Sequence, residues 1–193
     1  MARPRTVLRA ATTDDVVLLL ELWSGLLRPG DTQEQAADLE LVVKNAAASP
    51  EQRLLVAEVD GEPAGAVLLQ VRQVSALDRR QVVEAVSPHV LPAHRGQGVG
   101  LMLVEAAVTF AEDLAIAFVG TATLASSREA NRFMARLGLR PQAVLRVAST
   151  HPLRAKVEAL RPAGPRERQR SRLAAARRSR VSRRSGPSGP EHT

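Results

Sequence analysis

The sequence predicts an α/β fold in which a mixed, mostly antiparallel central sheet is flanked by helices on both faces. Two observations carry this prediction. Apolar residues recur at helical spacing through the first 50 positions and then alternate every two residues, and a strand–helix–strand–helix–strand order follows. A length of 193 residues suits a single domain with an appendage, because a second core would leave each domain very small.

A short strand and two helices are predicted first. The strand covers residues 6–10, and Thr13 or Asp14 is a suitable N-cap for the first helix. A Pro-Gly pair ends that helix, because neither residue favours a helix interior. The second helix begins at Asp31 or Thr32 and runs as far as a Ser-Pro pair, so the two helices follow each other closely.

The apolar pattern then changes to that of strands. Residues 53–59 and 64–74 alternate around the turn Asp60-Gly61, and Asp-Gly accepts the positive φ angles that tight hairpin turns need. A third strand over 79–91 contains Pro88. Because proline donates no ladder hydrogen bond, we expect an edge or a bulge at that point.

The last elements alternate between helix and strand. We predict an apolar helix over 98–113, a buried strand over 115–124, a helix over 127–138 and a final strand over 140–149. Either the sheet ends one strand short there or a second chain completes it in a homodimer. Both alternatives remain open at this stage.

The basic charge is confined to the end of the chain. The formal net charge is +7, from 27 basic and 20 acidic residues. Residues 151–193 hold a surplus of nine positive charges, whereas 1–150 have a deficit of two. We therefore predict one domain over 1–150 and a basic tail over 151–193, with one short helix followed by mostly disordered chain. The tail either contacts RNA or an acidic partner weakly, or only aids solubility.

Composition excludes several chemistries. The chain has no cysteine, so it has no disulfides, thiolate metal ligands or cysteine nucleophile. It also has no apolar stretch of about 18 residues and no signal-like N-terminus. We expect a cytoplasmic protein with no membrane span and no metal.

Three closely spaced glycines form the most informative motif. Gly96, Gly98 and Gly100 lie between a predicted strand and a predicted apolar helix. The first amides of that helix, from about Gly98 to Met102, have no partners within the helix and lie at the positive end of its dipole. Such a turn favours binding of a pyrophosphate, although a close-packed strand-to-helix turn is the alternative.

These residues resemble the signature of the GNAT family of N-acetyltransferases. The family pattern of arginine or glutamine, two residues, glycine, one residue, then glycine or alanine matches Arg95 to Gly100, and the preceding valine and proline match Val90 and Pro92. A second family pattern aligns with residues 127–138. The resemblance covers residues 6–149, about three quarters of the chain.

The resemblance implies an acyl-CoA acyltransferase fold with acetyl-CoA as co-substrate. The acetyl group would pass directly to a primary amine of a small molecule or a protein, the amine acceptor. Backbone amides near residues 89–91 would polarise the thioester carbonyl. The residues implied in acetyl-CoA binding are Val90, Leu91, Arg95, Gly96, Gln97, Gly98, Val99, Gly100, Leu101 and Ser127.

The chain departs from the family pattern at its catalytic positions. Met134 replaces the tyrosine that protonates the departing thiolate in many members, and the chain has no tyrosine at all. The usual glutamate position selects Val86 or Ser87, so the candidate general bases are His89 and Glu84. Strict alternation puts His89 on the face of Ser87, and a bulge at Pro88 would change that. The departures leave a second interpretation, a regulatory acyl-CoA-binding module that catalyses poorly.

Overall fold

A computed structural model describes residues 5–123, 127–142 and 145–161 of the chain. The chain divides into two units, Met1–Arg140 and Pro141–Thr193. The predictions for the basic tail beyond residue 161 lie outside the described residues. The predicted domain boundary at residue 150 stays a prediction.

In its described residues, the first unit contains a five-stranded sheet and four α-helices. Its elements are β1 (Thr6–Ala10), α1 (Val16–Trp23), α2 (Thr32–Ala48), β2 (Gln52–Val59), β3 (Glu62–Gln73), β4 (Gln81–Val90), α3 (Val99–Asp113), β5 (Val119–Ala122) and α4 (Arg128–Arg136). The strands lie in the order β1-β2-β3-β4-β5. Neighbouring strands are antiparallel from β1 to β4, and β5 runs parallel to β4. The predicted mixed, mostly antiparallel sheet is confirmed.

Two apolar layers hold helices against opposite faces of the sheet. On one face α3 packs through Leu103, Ala107 and Phe110 against alternate residues of β3 and β4. On the other face α1 and α2 pack against β2 and β3, with Leu19 and Trp23 at the centre. Because successive strand residues point to opposite faces, each strand contributes to both layers.

The entry to α1 differs from the prediction. Thr12, rather than Thr13 or Asp14, caps a single 3-10 turn over Thr13–Asp15, and the Asp15 carboxylate accepts from the Thr12 backbone N–H at 2.8 Å. Asp15 also holds Arg9 of β1 through two hydrogen bonds of 2.7 Å. This ion pair between β1 and the 3-10 turn fixes where the helix begins. Residue preferences for the N-cap position do not reveal a contact with another element. The second helix begins as predicted, with Asp31 as its N-cap.

The predicted hairpin between β2 and β3 is confirmed. Asp60 and Gly61 adopt φ angles of 53° and 88°. Two consecutive positive φ angles are the requirement of a tight turn whose twist matches that of the flanking strands.

The last two strand predictions need correction. The strand predicted over 115–124 is shorter, because β5 covers only Val119–Ala122, and its residues are partly buried or exposed rather than buried. The strand predicted over 140–149 is not formed in its described residues. Leu145 and Val147 are 89% and 85% exposed, so no apolar layer drives their pairing, and α5 (Thr150–Ala159) follows in the second unit.

No helix within the described ranges combines the length and apolar character that a membrane crossing requires. Among those same residues, no group of three or more histidine or carboxylate side chains is arranged to hold a metal ion.

Candidate functional site

A bulge interrupts β4 near its carboxyl end. Leu68 of β3 pairs with Val86, but Ala66 pairs with His89, so two residues of β4 lie opposite one residue of β3. Ser87 has a φ of 47°, and its carbonyl accepts a hydrogen bond of 2.9 Å from the Trp23 indole. The bulge expected from Pro88 is therefore present, and α1 holds it in place.

The bulge decides which way His89 points. Directly paired residues of antiparallel strands place their side chains on the same face. His89 pairs with Ala66, which belongs to the core beneath α1 and α2. Glu84 pairs with Gln70, and Gln70 lies on the same face of β3 as Leu68 and Ala66 because the three residues are spaced two apart. The extra residue therefore brings His89 onto the α1/α2 face together with Glu84, instead of the opposite face that strict alternation assigns to it.

The pairing of β4 with β5 ends before the bulge. Their parallel pairing runs from Val83 opposite Val119 to Val86 opposite Ala122 and ends there, whereas β4 continues to Val90. Within the described residues, the last four positions of β4 therefore have a strand neighbour on the β3 side only. Among the described residues, this side of the carboxyl end of β4, next to the start of α3, has no strand partner, and we call it the gap.

One backbone amide of β4 faces that gap. The Leu91 N–H donates to the Ala64 carbonyl of β3 at 2.8 Å, so the prediction that Leu91 polarises a thioester is wrong for its amide. Because neighbours along an antiparallel strand alternate in direction, His89 also directs its amide to β3. The Val90 N–H is directed toward the gap, and it is the amide of the predicted set that suits an oxyanion.

The glycine-rich loop opens α3 as the sequence predicts. Gly96 and Gly98 have φ angles of 75° and 90°, and no heavy atom lies within 4 Å of the place where a Cβ would be on either residue. Gly98 is the N-cap, and α3 begins at Val99. The first amides of a 15-residue helix are thus combined with open space around the loop, an arrangement that suits a phosphate group.

The third glycine of the motif lies close to α4 and to the end of β4. A Cβ on Gly100 would lie 3.7 Å from the Phe133 ring of α4 and 3.8 Å from Val90. These are ordinary contact distances, so packing at this point does not itself require glycine, and the start of α3 lies against Phe133 of α4 and Val90 of β4. Phe133 is a residue of the site that the sequence reasoning missed, because nothing in the motif signals a contact from α4.

The remaining predicted binding residues lie around this loop. Val99 is buried beneath it, whereas the Leu101 side chain is exposed. The Gln97 side-chain amide donates to the Ala93 carbonyl at 3.2 Å, which braces the turn. Ser127 is the N-cap of α4, and its side chain makes no capping hydrogen bond. Its backbone carbonyl accepts a hydrogen bond of 2.7 Å from the side-chain amide of Asn131.

Arg95 connects the loop with the end of β4. Its Nε donates to the Val90 carbonyl at 3.4 Å, and its guanidinium forms an ion pair of 3.3 Å with Glu129 of α4. Nearly half of the Arg95 side chain is exposed. A cation therefore lies beside both the gap and the glycine-rich turn.

The two candidate bases differ in their surroundings. Both carboxylate oxygens of Glu84 accept from the Arg72 guanidinium, at 2.6 and 3.0 Å, and Gln70 donates a third hydrogen bond at 3.1 Å. Glu84 is also buried. Its lone pairs are already engaged by structural partners, and this cross-strand pairing with Arg72 is invisible in the sequence.

His89 makes no hydrogen bond to the described residues, and its pKa is lowered. Neither of its ring nitrogens has a hydrogen-bond partner among the described residues. Burial lowers the pKa of His89 below its ordinary value, and the positive charge of Arg95 lowers it further. The imidazole therefore keeps a free lone pair at neutral pH. The Nδ1 atom of His94, in the turn after β4, is buried without a hydrogen-bond partner in the described structure.

Met134 occupies the position where many family members have the tyrosine that protonates the departing thiolate. Its side chain is buried, so α4 offers a thioether and no acid there. The departure seen in the sequence is thus also present in the structure.

Comparison with known proteins identifies the family. The family model of the GNAT acetyltransferases matches residues 18–139, which include the sheet from β2 onward, the bulge and the glycine-rich loop. The chain belongs to the GNAT family of acetyltransferases. The bulged strand β4 and the glycine-rich turn described above are thus parts of a GNAT domain.

Two curated proteins that match the sequence are both named uncharacterized N-acetyltransferases. An uncharacterized N-acetyltransferase of Archaeoglobus fulgidus is 40% identical over 58 residues, 30% of this chain and 40% of that protein. One from Methanocaldococcus jannaschii is 29% identical over 96 residues, 50% of this chain and 42% of its own length. The GNAT chain thus spans about two fifths of the length of these curated relatives.

Among solved structures, a similar fold occurs in AAC(6')-Iy in complex with the bisubstrate analog CoA-S-monomethyl-acetylneamine. The TM-score is 0.62 at 17% sequence identity, with 76% of this chain and 98% of that chain covered. At this level of identity the likeness establishes the GNAT fold.

Proposed function

We propose that this protein is an acetyl-CoA-dependent N-acetyltransferase that passes the acetyl group directly to a primary amine of a small molecule or a protein. The observation that carries the proposal is the gap beside the carboxyl end of β4 combined with the open glycine-rich turn at the start of α3. The turn would hold the pyrophosphate, and the gap would take the extended pantetheine arm. Ser127 and the remaining loop residues would line the same path.

The Val90 amide would stabilise the oxyanion. The acceptor nitrogen attacks the thioester carbonyl carbon, and the carbonyl oxygen becomes negative as the tetrahedral intermediate forms. A donor already fixed in position stabilises that charge without reorganisation. Collapse of the intermediate re-forms the carbonyl and breaks the carbon–sulfur bond, releasing the CoA thiolate.

His89 is the group we propose as general base. It accepts the proton that the attacking amine loses, because its imidazole is neutral and has no hydrogen-bond partner in the described structure. Glu84 is the weaker candidate, since Arg72 and Gln70 already occupy its oxygens.

The leaving group needs less assistance than the nucleophile. A thiol has an ordinary pKa of about 8.5, so its thiolate departs tolerably well without a protein acid. The proton that the base receives can pass to this thiolate through solvent. The absence of tyrosine from the chain is therefore compatible with turnover, at a cost of roughly 10²–10⁴ in rate.

A thiol-release assay tests the proposal. Purified protein is mixed with acetyl-CoA and panels of small amines and lysine-containing peptides, and free CoA thiol is followed with time. We expect release that depends on one class of amine and that His89→Gln slows. Failure of every amine to increase the rate over the protein-free control would contradict the proposed reaction.

A second candidate is a GNAT module that binds acyl-CoA for regulation and catalyses poorly. It is favoured by the buried Met134 at the acid position and by the engagement of Glu84 with Arg72. The same assay separates the two functions. Tight acetyl-CoA binding without amine-dependent thiol release supports the module, and amine-dependent release supports the enzyme.

A further inference from the structure

Arg95 lies where one charge can act on both the glycine-rich turn and the proposed base. Its Nε contacts the carbonyl of Val90, the residue that follows His89 on β4. The same residue begins the glycine-rich turn, one position before Gly96. The guanidinium therefore lies beside the backbone that follows His89 and at the start of the glycine-rich turn, and its positive charge is one of the two causes that lower the pKa of His89.

The other charged groups near His89 are already paired. On its own strand, Glu84 is held by Arg72 of β3. From α4, Glu129 approaches only across Arg95. The element that packs over the bulge, α1, contributes the neutral indole of Trp23. His94 is a further titratable side chain, in the turn after β4.

Arg95 differs from these groups in its exposure. Its side chain is 46% exposed, and its partner Glu129 is 76% exposed, so this ion pair is solvated and weak. A pyrophosphate in the glycine-rich turn carries more negative charge than one carboxylate and would compete for the same guanidinium. Arg95 is thus the charged group beside β4 that a pyrophosphate in the turn would engage.

We propose that acetyl-CoA binding activates His89 through Arg95: the pyrophosphate neutralises the guanidinium, and the imidazole becomes a stronger base only when the co-substrate is in place. This inference rests on the proposed function and makes Arg95 a tuning residue that acts through His89. In the free protein the positive charge of Arg95 opposes imidazolium formation. With the pyrophosphate bound, His89 accepts the proton of the attacking amine nitrogen more readily.

The experiment is an NMR titration of the imidazole resonances in the full-length protein. The chain has four histidines, so His89→Gln identifies the resonance of His89. The titration is recorded for the free protein, with CoA, and with pantetheine, which fills the gap but carries no phosphate. We expect CoA to raise the titration midpoint of His89 by about one pH unit, and pantetheine to leave it unchanged or lower it.

Variants at position 95 test the route of the effect. Arg95→Gln should raise the midpoint of His89 in the free protein, whereas Arg95→Lys keeps the charge and should leave it near the wild-type value. Arg79→Gln, an exposed arginine in the loop that precedes β4, is the matched control and should not move it.

Two results would overturn the inference: a His89 midpoint that CoA binding leaves unchanged or lowers, or one that Arg95→Gln fails to raise in the free protein. The titration requires only CoA binding and no acceptor. A protein that binds CoA without moving His89 therefore contradicts this inference alone, and a protein that does not bind CoA contradicts the proposed function itself.

Discussion

His89 owes its place to one extra residue in β4. The bulge puts its imidazole on the α1/α2 face, and burial lowers its pKa, with Arg95 adding to the effect. Glu84 shares that face but is held by Arg72. The two residues, equal candidates by sequence, are thus distinguished by their contacts.

Replacing each candidate base separates their roles. We expect His89→Gln to lower kcat by about 10²–10⁴ and to leave the dissociation constant of acetyl-CoA unchanged, because it removes only proton transfer. Glu84→Gln, the matched control, should lower stability and keep most of kcat. Steady-state kinetics and binding calorimetry measure both. A larger loss of kcat in Glu84→Gln than in His89→Gln would reverse the assignment.

Asp15 carries a predicted pH dependence of stability. Hydrogen bonds from Arg9 lower the pKa of Asp15 most, burial opposes them, and the Thr12 backbone N–H adds to the lowering. Since the folded pKa lies below the unfolded value, this stabilisation is complete above about pH 4 and is lost as the pH falls through the folded pKa. We expect Asp15→Asn to lose about 2 kcal/mol of unfolding free energy at pH 7 and much less at pH 3. Urea unfolding at both pH values measures this, and equal losses would contradict it.

At the residue scale, the sequence predicts the conformation of the glycine-rich loop, but it does not predict the surroundings of the two candidate general bases. Gly96 and Gly98 adopt the positive φ angles for which glycine is suited, so a local pattern suffices to find them. The direction of His89 depends on the pairing of β4 with β3, and the engagement of Glu84 depends on a residue 12 positions away. Such contacts are not encoded in local spacing.

At the scale of elements, helix α1 holds the bulge in β4 through one hydrogen bond. The Trp23 indole is the donor that α1 supplies to the Ser87 carbonyl, and Ser87 has a positive φ angle that a non-glycine residue rarely adopts. The hydrogen bond thus stabilises a strained backbone next to His89.

Trp23→Phe removes that donor and keeps an aromatic ring. We expect a loss of about 1 kcal/mol in unfolding free energy and a fall in kcat, because the bulge no longer fixes His89. Leu22→Met, a buried change in the same helix, is the control for a purely structural loss and should keep kcat. Thermal unfolding and kinetics provide the readouts. Equal kcat values in the two variants would show that the bulge does not depend on Trp23.

The predicted elements differ in how well they were found. The α2 cap and the β2–β3 turn rest on local chemistry, and both are confirmed. The extent of β5 and the strand predicted over 140–149 depend on a neighbouring strand, which an apolar pattern does not supply. A segment with a strand-like apolar pattern forms a strand only where a neighbouring strand is available to pair with it, and this explains both errors.

At the scale of the whole molecule, charge and chemistry lie in different parts of the chain. Residues 1–150 carry a slight negative charge, and residues 162–193 contain nine arginines and two glutamates. We expect deletion of 162–193 to reduce retention on immobilised RNA at low salt and to leave acetyl-CoA binding unchanged. Retention that is identical with and without these residues would contradict a nucleic-acid role for the tail.

The central claim is that the glycine-rich turn at the start of α3 binds acetyl-CoA. Calorimetric titration with acetyl-CoA tests it on the wild type, Gly98→Ala and Gly138→Ala. Both glycines have a positive φ angle and open space around a Cβ, so the backbone strain is matched, but only Gly98 lies in the turn. We expect the wild type and Gly138→Ala to bind alike and Gly98→Ala to bind about tenfold more weakly or worse, since its strain falls on the phosphate site. No binding by the wild type, or equal weakening in the two variants, would contradict the account.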